Sequence, residues 1–359
     1  MSAPILGSRA SLLAALRNAG ESPDADRTEM IGPGESSLRP LDVEGFIPDI
    51  AQGMWNHRAR RMLQRGRALR VKSVLVRGRG RPNVRVVWLL LRSTHPGPTL
   101  VVSAATCGLG VAASLDARAL AILVATVLFG QVSVGLSNDA IDAPRDLAAD
   151  RPDKPLARNF GLLRVVWILA IVFGVLSIVL SLLLGWGFST AHLVFLLSGW
   201  LYNALLKATP LSVLAYMIGF GTLPSLPVLV ASGTLAPIWA TCAGVSLGVA
   251  IHCANVLPDI ADDRRAGVLG FPQRLGQRAA AVVAGASLIA GACIVAVASG
   301  LAGDSIALAW VLFAAVLSLA AVACVLTLRG RATRTVFRIV MLAAGLLVVQ
   351  LVLTGGFTA

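Results

Sequence analysis

The chain has 359 residues, of which 56% are hydrophobic and only 14% are charged, and its mean hydropathy is +0.78. Soluble globular domains carry about a quarter charged residues, so this composition excludes an ordinary soluble domain and predicts an all-α integral membrane protein. The net charge of +13 is also typical of nucleic-acid binding. The basic residues flank apolar runs, however, where membrane orientation and anionic lipid headgroups explain them better.

The N-terminal part of the chain differs from the rest. Residues 1–56 are polar, contain Gly, Pro and Ser, and show no sustained periodicity, which predicts a disordered cytoplasmic extension. Residues 57–92 carry twelve Lys and Arg residues and no acidic residue. We interpret them as a basic juxtamembrane segment that anchors the chain at the membrane surface and fixes its topology. We predict no nucleic-acid partner.

Residues 93–359 are predicted to form the transmembrane domain, a bundle of nine helices. Its apolar runs approach the roughly 20 residues that a helix needs to cross a bilayer. The predicted spans are 97–115, 118–137, 162–185, 191–206, 211–232, 235–256, 279–301, 305–328 and 335–355.

Basic residues alternate between the predicted loops. The loops after spans two, four, six and eight carry Lys and Arg, whereas Arg118 is the only basic residue in the intervening loops. The positive-inside rule therefore places the N-terminus and the loops after spans two and six in the cytoplasm, and the C-terminus outside. We expect the protein in the plasma (inner) membrane, in contact with its lipids.

Two acidic motifs, 117 residues apart, follow the second and sixth spans. Each has one Asn and two Asp residues at positions i, i+4 and i+8. The residues are Asn138, Asp142 and Asp146 in the first motif and Asn255, Asp259 and Asp263 in the second, with Asp139 beside Asn138. Because helix positions four apart lie on one face, each motif is expected to project an amide and two carboxylates in one direction.

Other residues in the spans have mostly structural interpretations. Four prolines are expected to kink or end spans five and six: Pro210, Pro224, Pro227 and Pro237. His192 is expected near the membrane interface. His252, three residues before Asn255, is expected either to face the acidic site or to pack inside the bundle.

The acidic motifs predict a metal and phosphate site. Carboxylates with few His or Cys residues nearby suit hard divalent cations, chiefly Mg²⁺, which usually bridges protein carboxylates to substrate phosphates. Basic and hydroxyl side chains that suit a phosphate accompany the motifs: Arg151, Lys154, Arg158, Tyr202, Lys207 and Arg264. This set above an apolar cavity predicts an amphiphilic substrate with a diphosphate head and a hydrocarbon tail.

These motifs resemble those of the UbiA superfamily of intramembrane prenyltransferases. Asn138-Asp139-x-x-Asp142-x-x-x-Asp146 is similar to its first Asp-rich motif, and Asn255-x-Leu257-x-Asp259-x-x-x-Asp263-x-x-x-Gly267 is similar to its second. Arg151-Pro152-Asp153-Lys154-Pro155-Leu156 resembles the segment after the first motif, and Tyr202-Asn203-x-x-Leu206-Lys207-x-Thr209-Pro210 resembles the basic motif between the two. The resemblance covers roughly residues 88–355.

The resemblance implies a nine-helix bundle that holds a polyprenyl diphosphate and Mg²⁺ at its cytoplasmic end. The implied metal ligands are Asn138, Asp139, Asp142, Asp146, Asn255, Asp259 and Asp263. The implied catalytic residues are Asp142, Asp146, Asp259, Asp263 and Lys207. The implied reaction transfers a prenyl group to a small aromatic acceptor, either a quinone precursor or another phenolic compound.

Alternative functions stay open at this stage. Within the same superfamily these are a terpene cyclase and a transferase that uses a phosphoribosyl diphosphate donor. A lipid-diphosphate transporter belongs to a different class and predicts charged or broken helices at the membrane midplane. The acidic residues cluster at one membrane face, which favours the enzyme.

Overall fold

The computed structural model describes residues 84–148, 154–265, 267–302, 306–330 and 334–353. The predicted N-terminal extension and the basic segment up to residue 83 lie outside these residues. All regular secondary structure in the described ranges is helical. The all-α prediction is therefore confirmed for this part of the chain.

The described residues form fourteen α-helices, a 3₁₀ turn and a π-helical turn. The helices are α1 (Val84–Ser93), α2 (Pro96–Ala112), α3 (Ala117–Ala148), α4 (Pro155–Arg158), α5 (Leu163–Leu182), α6 (Trp186–Leu201), α7 (Ser212–Thr222), α8 (Ser225–Ser232), α9 (Ile238–Val256), α10 (Ile260–Arg265), α11 (Phe271–Leu275), α12 (Gln277–Ala302), α13 (Ile306–Leu328) and α14 (Arg334–Leu353). The 3₁₀ turn, Phe160–Leu162, precedes α5, and the π-helical turn, Tyr202–Leu206, follows α6.

Eight segments of the described chain are long and apolar enough to cross a membrane. They are Ala117–Leu147, Phe160–Leu182, Trp186–Leu206, Ser212–Ser232, Ile238–Val256, Gln277–Ala298, Trp310–Leu328 and Arg334–Leu353. Each coincides with one of the predicted spans two to nine. The first predicted span corresponds to α2, which is apolar but has only 17 residues. The total of nine spans therefore stays a prediction.

Six helices form an inner ring. Around it, α2 contacts α3, α3 contacts α6, α6 contacts α7, α7 contacts α9, and α9 contacts α14. Because α14 also contacts α2, the ring closes. Helices α5, α12 and α13 pack against the outside of this ring, with α5 on α3 and α12 on α9.

Glycines let two helices of the inner ring approach closely. A Cβ atom on Gly244 would lie 2.2 Å from Phe220 O, and one on Gly248 would lie 2.4 Å from Tyr216 O. Small residues at helix contacts are favoured in membranes, where close packing replaces hydrophobic association. These contacts fix α7 against α9.

Two of the prolines in spans five and six lie at helix ends, as the sequence predicts. Helix α7 ends at Thr222 and α8 begins at Ser225, so Pro224 lies at the break in span five. Pro237 is the N-cap residue of α9. The His192 ring is fully buried in the bundle, and its Nε2 lies 2.6 Å from Ser177 Oγ. Its depth near the membrane interface stays a prediction.

Candidate active site

A cavity of about 690 Å³ lies inside the inner ring. From the N-cap residue His95 along α2 to Gly108, its lining extends over thirteen residue steps, or about 20 Å at the rise of an α-helix. Most lining residues are apolar. Polar side chains gather at one end, which carries His95, Asn138, Tyr202 and Asn255. This polar end faces the helix termini that carry both acidic motifs.

Helix α3 carries the first acidic motif as a continuous helix up to Ala148. The predicted common face of Asn138, Asp142 and Asp146 is therefore present. Asn138 lines the cavity, while Asp142 and Asp146 are only 4% and 2% exposed. Buried carboxylates require ionic or hydrogen-bonding partners.

Lys207 is the principal partner of this motif. Its Nζ donates hydrogen bonds to Asn138 Oδ1 (2.9 Å) and to Asp142 Oδ2 (2.5 Å). A second cation, Arg145, lies 3.0 Å from Asp142 Oδ2 and 4.0 Å from Asp146 Oδ1. The site therefore contains Arg145, which the sequence did not single out, although it stands between the two aspartates.

A π-helical turn places Lys207 at the cavity. Lys207 N–H donates to Tyr202 O (2.9 Å), five residues earlier, in place of the usual four-residue bond. Such wide turns are rare and occur frequently at functional sites. The sequence predicted an ordinary helical span here.

Asp139 does not lie on the helix face that Asn138, Asp142 and Asp146 share. It follows Asn138 by one position, about 100° around the helix, and is 3% exposed. Its Oδ1 accepts a hydrogen bond from His95 Nε2 (2.9 Å) and lies 3.7 Å from Lys154 Nζ. His95 was not among the predicted site residues, because no sequence pattern links positions 44 residues apart.

A glycine in α3 makes room for His95. His95 caps α2 in the left-handed conformation, with φ 51°. The turn that contains it packs on α3 at Gly135, where a Cβ would lie 2.4 Å from Thr94 O. Gly135 therefore permits the approach that brings His95 to Asp139.

The second acidic motif does not form one helical face, and that prediction is wrong. Helix α9 ends at Val256, and α10 begins only at Ile260. The reason is Pro258, which has no N–H to continue the helix. Leu257 N–H instead donates to Ala254 O (3.2 Å), which tightens the final turn of the helix.

The break separates the three residues of the second motif. Asn255 lines the cavity, Asp259 is exposed in the turn, and Asp263 is half-buried on α10. Asp263 Oδ2 accepts a hydrogen bond from Gln273 Nε2 (2.9 Å), and Gln273 is 3% exposed. Gln273 was missed by the sequence interpretation.

The segment after the second motif also contacts the first site. A Cβ on Gly270 would lie 2.6 Å from Lys207 O, so this backbone packs directly on the residue that binds Asp142. Phe271 N–H donates to Ser212 Oγ (2.8 Å), and Ser212 Oγ lies 2.9 Å from His252 Nε2. His252 packs behind the cavity wall, stacked on Tyr216 with ring centroids 4.5 Å apart.

Tyr202 lies between the two motifs. It lines the polar end of the cavity together with Asn138 of the first motif and Asn255 of the second. Its ring meets that of Tyr216 edge-on, with centroids 5.1 Å apart, and Tyr216 OH accepts a hydrogen bond from Asn255 Nδ2 (3.4 Å). The fold thus brings both motifs to one end of the cavity.

The remaining predicted phosphate contacts are less well defined. Arg264 is exposed on α10. Arg151 lies outside the described residues, and Arg158 ends α4 with a side chain that is not described. Of the basic residues predicted to bind phosphate, the structure therefore places Lys207 and Lys154 beside the first motif.

The site suits Mg²⁺ that is shared with a phosphate. Among the described residues, no group of three or more His, Cys, Asp or Glu side chains could hold a metal ion. The donors are nevertheless carboxylate and amide oxygens, the type that Mg²⁺ prefers, and Mg²⁺ seldom occupies an all-protein cage. The residues therefore fit a Mg²⁺ ion whose coordination a diphosphate completes.

Comparisons identify related proteins. Residues 98–346 match the model of the UbiA prenyltransferase family. The fold is similar to a structure from a study of digeranylgeranylglyceryl phosphate synthase (TM-score 0.59, 15% identity, 75% of this chain and 98% of that chain). It is also similar to a UbiA homologue from Archaeoglobus fulgidus bound to GPP and Mg²⁺ (TM-score 0.58, 17% identity, 73% of this chain and 97% of that chain). A third similar structure is that of a UbiA homologue from Aeropyrum pernix K1 (TM-score 0.59, 18% identity, 70% of this chain and 96% of that chain). No curated protein sequence matches the chain.

Proposed function

The chain belongs to the UbiA prenyltransferase family, and we propose that it catalyses Mg²⁺-dependent transfer of a prenyl group within the membrane. The donor is a (poly)prenyl diphosphate. The acceptor is a small aromatic compound, either a quinone precursor or another phenol. Structures of the Archaeoglobus fulgidus UbiA homologue bound to GPP and Mg²⁺ or to DMAPP and Mg²⁺ support this donor class.

One observation carries the proposal: Lys207 joins Asn138 and Asp142 at the polar mouth of an apolar cavity. A diphosphate head needs cations and metal-binding oxygens, whereas a prenyl tail needs an apolar tunnel. The cavity offers these two environments end to end. Its volume of about 690 Å³ lies within the range of ligand sites.

The proposed metal ligands come from both motifs. They are Asn138, Asp142, Asp146, Asn255, Asp259 and Asp263, with Asp139, which contacts His95, as a further ligand. When bound, Mg²⁺ would neutralise the diphosphate and stabilise the charge that develops on it as it leaves. The catalytic aspartates of the proposal are Asp142, Asp146, Asp259 and Asp263.

The cations of the site would bind the diphosphate and stabilise its departure. Lys207 and Lys154 lie beside the first motif, and Tyr202 offers a hydroxyl at the polar end of the cavity. Arg151, Arg158 and Arg264 complete the proposed set. As the allylic C–O bond breaks, its electron pair leaves with the diphosphate, whose added charge Lys207 stabilises.

The apolar part of the cavity protects the reaction from water. The allylic cation would be captured by an electron-rich ring carbon of the acceptor, which then loses a proton. An apolar, closed environment favours this capture over hydrolysis of the cation.

The protein is a multi-pass membrane protein, and we propose the plasma membrane as its location. The N-terminus and both acidic motifs would be cytoplasmic and the C-terminus outside. Residues 1–56 would form a disordered extension and residues 57–92 a basic surface anchor. The described end of that anchor, α1, is helical, with Arg92 stacked on Trp88 at 5.1 Å.

The proposal is tested with membranes that contain the full-length protein, Mg²⁺, labelled geranyl diphosphate and a panel of aromatic acceptors. Mass spectrometry should detect a prenylated acceptor that Asp142→Asn membranes do not form. A cyclic terpene formed without acceptor would support a cyclase. Transfer from phosphoribosyl diphosphate would support the other transferase, and donor movement without chemistry would support a transporter.

A further inference from the structure

One polar side chain projects into the cavity far from the acidic motifs. Gln131 lies on the cavity-lining face of α3, seven residues before Asn138. This spacing corresponds to two helical turns, or about 10 Å. Gln131 therefore lies within the apolar part of the span Ala117–Leu147, two turns inside the level of Asn138. Polar residues at this depth are costly and commonly functional.

Gln131 differs from the other carboxamides that line the cavity. Asn138 accepts from Lys207, Asn203 donates to Val134 O and Ser137 Oγ, and Asn255 donates to Tyr216 OH. The amide of Gln131 makes no hydrogen bond to any residue that the structure describes. An amide in an apolar cavity is stabilised by a ligand that supplies the missing partner.

A hydrocarbon tail cannot be that partner. The other walls of the cavity offer the tail apolar faces, among them Leu223 at the end of α7 and Val348 on α14. A tail against Gln131 would leave the amide without hydrogen bonds. The α3 wall is therefore better suited to the second substrate than to the prenyl chain.

An aromatic ring lies within about one helical turn of the depth of Gln131. Helices α3 and α6 run in the same direction, since Ser133 bonds Trp200 and Ser137 bonds Asn203. These pairs place Gln131 level with residues 197–198, and Phe195, which lines the cavity, precedes them by two to three residues, or about 3–5 Å along the helix axis. A planar acceptor between the polar end and Gln131 could stack on Phe195.

The charge of the cavity limits the acceptor further. No Lys or Arg is found among the described residues that line it. The cations at its mouth, Lys207 and Lys154, are engaged by Asp142 and Asp139. A carboxylate deep in this cavity would be desolvated without a counter-charge, which is strongly unfavourable.

We propose that Gln131 binds the acceptor, and that this acceptor is a neutral ring compound with a second oxygen function, remote from the prenylated position. The inference rests on the proposed function, because it assigns the second substrate of the same cavity. Gln131 is then a specificity-determining residue that orients the ring by one hydrogen bond.

Three probes test the inference by binding. They are 1,4-dihydroxynaphthalene, 1-naphthol without the remote hydroxyl, and the carboxylate 1,4-dihydroxy-2-naphthoate. Each is equilibrated under reducing conditions with the full-length protein, Mg²⁺ and the unreactive donor geranyl thiodiphosphate. The wild type should bind 1,4-dihydroxynaphthalene about three- to tenfold more tightly than 1-naphthol, the effect of one neutral hydrogen bond. The carboxylate should bind less tightly than 1,4-dihydroxynaphthalene.

The near-isosteric variant Gln131→Met should abolish the preference for the remote hydroxyl and leave 1-naphthol binding unchanged. The matched control is Ser198→Ala, because Ser198 lines the cavity but donates its hydroxyl to Phe195 O (2.7 Å). This control should retain the wild-type preference. Equal weakening of both neutral probes by Gln131→Met, no effect of that variant, or tightest binding of the carboxylate would overturn the inference.

Turnover with geranyl diphosphate separates this inference from the proposed function. Gln131-dependent binding without any prenylated product would contradict the proposed function and leave the binding site intact. A prenylated product whose acceptor preference does not depend on Gln131 would support the proposed function and overturn the inference.

Discussion

Lys207 donates to Asp142 Oδ2 at 2.5 Å, although 65 residues separate the two positions in sequence. The contact joins α3 to the π-helical turn after α6. Asp142 is 4% exposed, and the Lys207 side chain is 22% exposed. A buried anion and a partly accessible cation thus meet where the proposed diphosphate would leave.

Lys207→Ala should lower kcat for prenyl transfer by roughly 10²–10³, by analogy with the loss of one charge-stabilising donor. An interaction that strengthens in the transition state affects mainly kcat, whereas uniform binding affects mainly KM. Steady-state kinetics at varied donor concentration measure kcat and KM separately. Arg278→Ala, on an exposed residue at the start of α12, is the control. A raised KM at unchanged kcat would contradict a role in ionisation.

Gln273→Met should raise the Mg²⁺ concentration for half-maximal activity by about tenfold. Gln273 holds Asp263 by a 2.9 Å hydrogen bond, and residues that orient metal ligands commonly contribute 10–100-fold to metal affinity or activity. Activity measured across a Mg²⁺ titration checks this. Arg274→Lys, on the exposed neighbour, should leave the titration unchanged. An unaltered Mg²⁺ dependence in Gln273→Met would mean that Asp263 does not bind the metal.

Gly135→Ala should destabilise the protein by about 1–3 kcal/mol, the usual cost of overpacking. Its Cβ would lie 2.4 Å from Thr94 O and push the turn of His95 away from Asp139. Thermal unfolding in detergent measures the change. Gly97→Ala is a matched control in the neighbouring turn, because no atom lies within 4 Å of its Cβ. Equal melting temperatures for both variants would show that the turn at Thr94 and His95 moves away from α3 without a measurable loss of stability.

A reporter fused after Ala359 should score as external, and one inserted near Asn159 as cytoplasmic. Seven of the eight long apolar segments lie between Asn159 and Ala359, and an odd number of crossings places the two sites on opposite sides of the membrane. Alkaline phosphatase and fluorescent protein fusions provide the readout. Both sites on one side would mean that one of these seven segments does not cross the membrane.

The sequence was sufficient to predict features that depend on local patterns. Spans two to nine appear as apolar runs, and Asn138, Asp142 and Asp146 share a face because α3 remains helical throughout. The same spacing failed for the second motif, because Pro258 interrupts the helix between Asn255 and Asp259. The rule that positions four apart share a face holds only where the helix is continuous, and proline lacks the N–H that continues a helix.

Features that depend on tertiary packing could not be predicted. His95 and Asp139 are 44 residues apart, and they meet only because Gly135 admits the turn at Thr94. The burial of His192, whose Nε2 lies 2.6 Å from Ser177 Oγ, also depends on contacts between helices. The π-helical turn before Lys207 likewise has no sequence signal that we recognised.

The central claim is Mg²⁺-dependent prenyl transfer that requires both acidic motifs. It is tested most directly by the yield of geranylated acceptor from membranes that contain wild-type protein, Asp142→Asn or Asp259→Asn, with and without EDTA. Asp262→Asn is the matched control, because Asp262 is exposed and pairs with Arg265 at 3.1 Å. The account predicts product from the wild type and the control in Mg²⁺, and none from either motif variant or in EDTA. Undiminished product from Asp142→Asn or Asp259→Asn, or from wild-type membranes in EDTA, would contradict it.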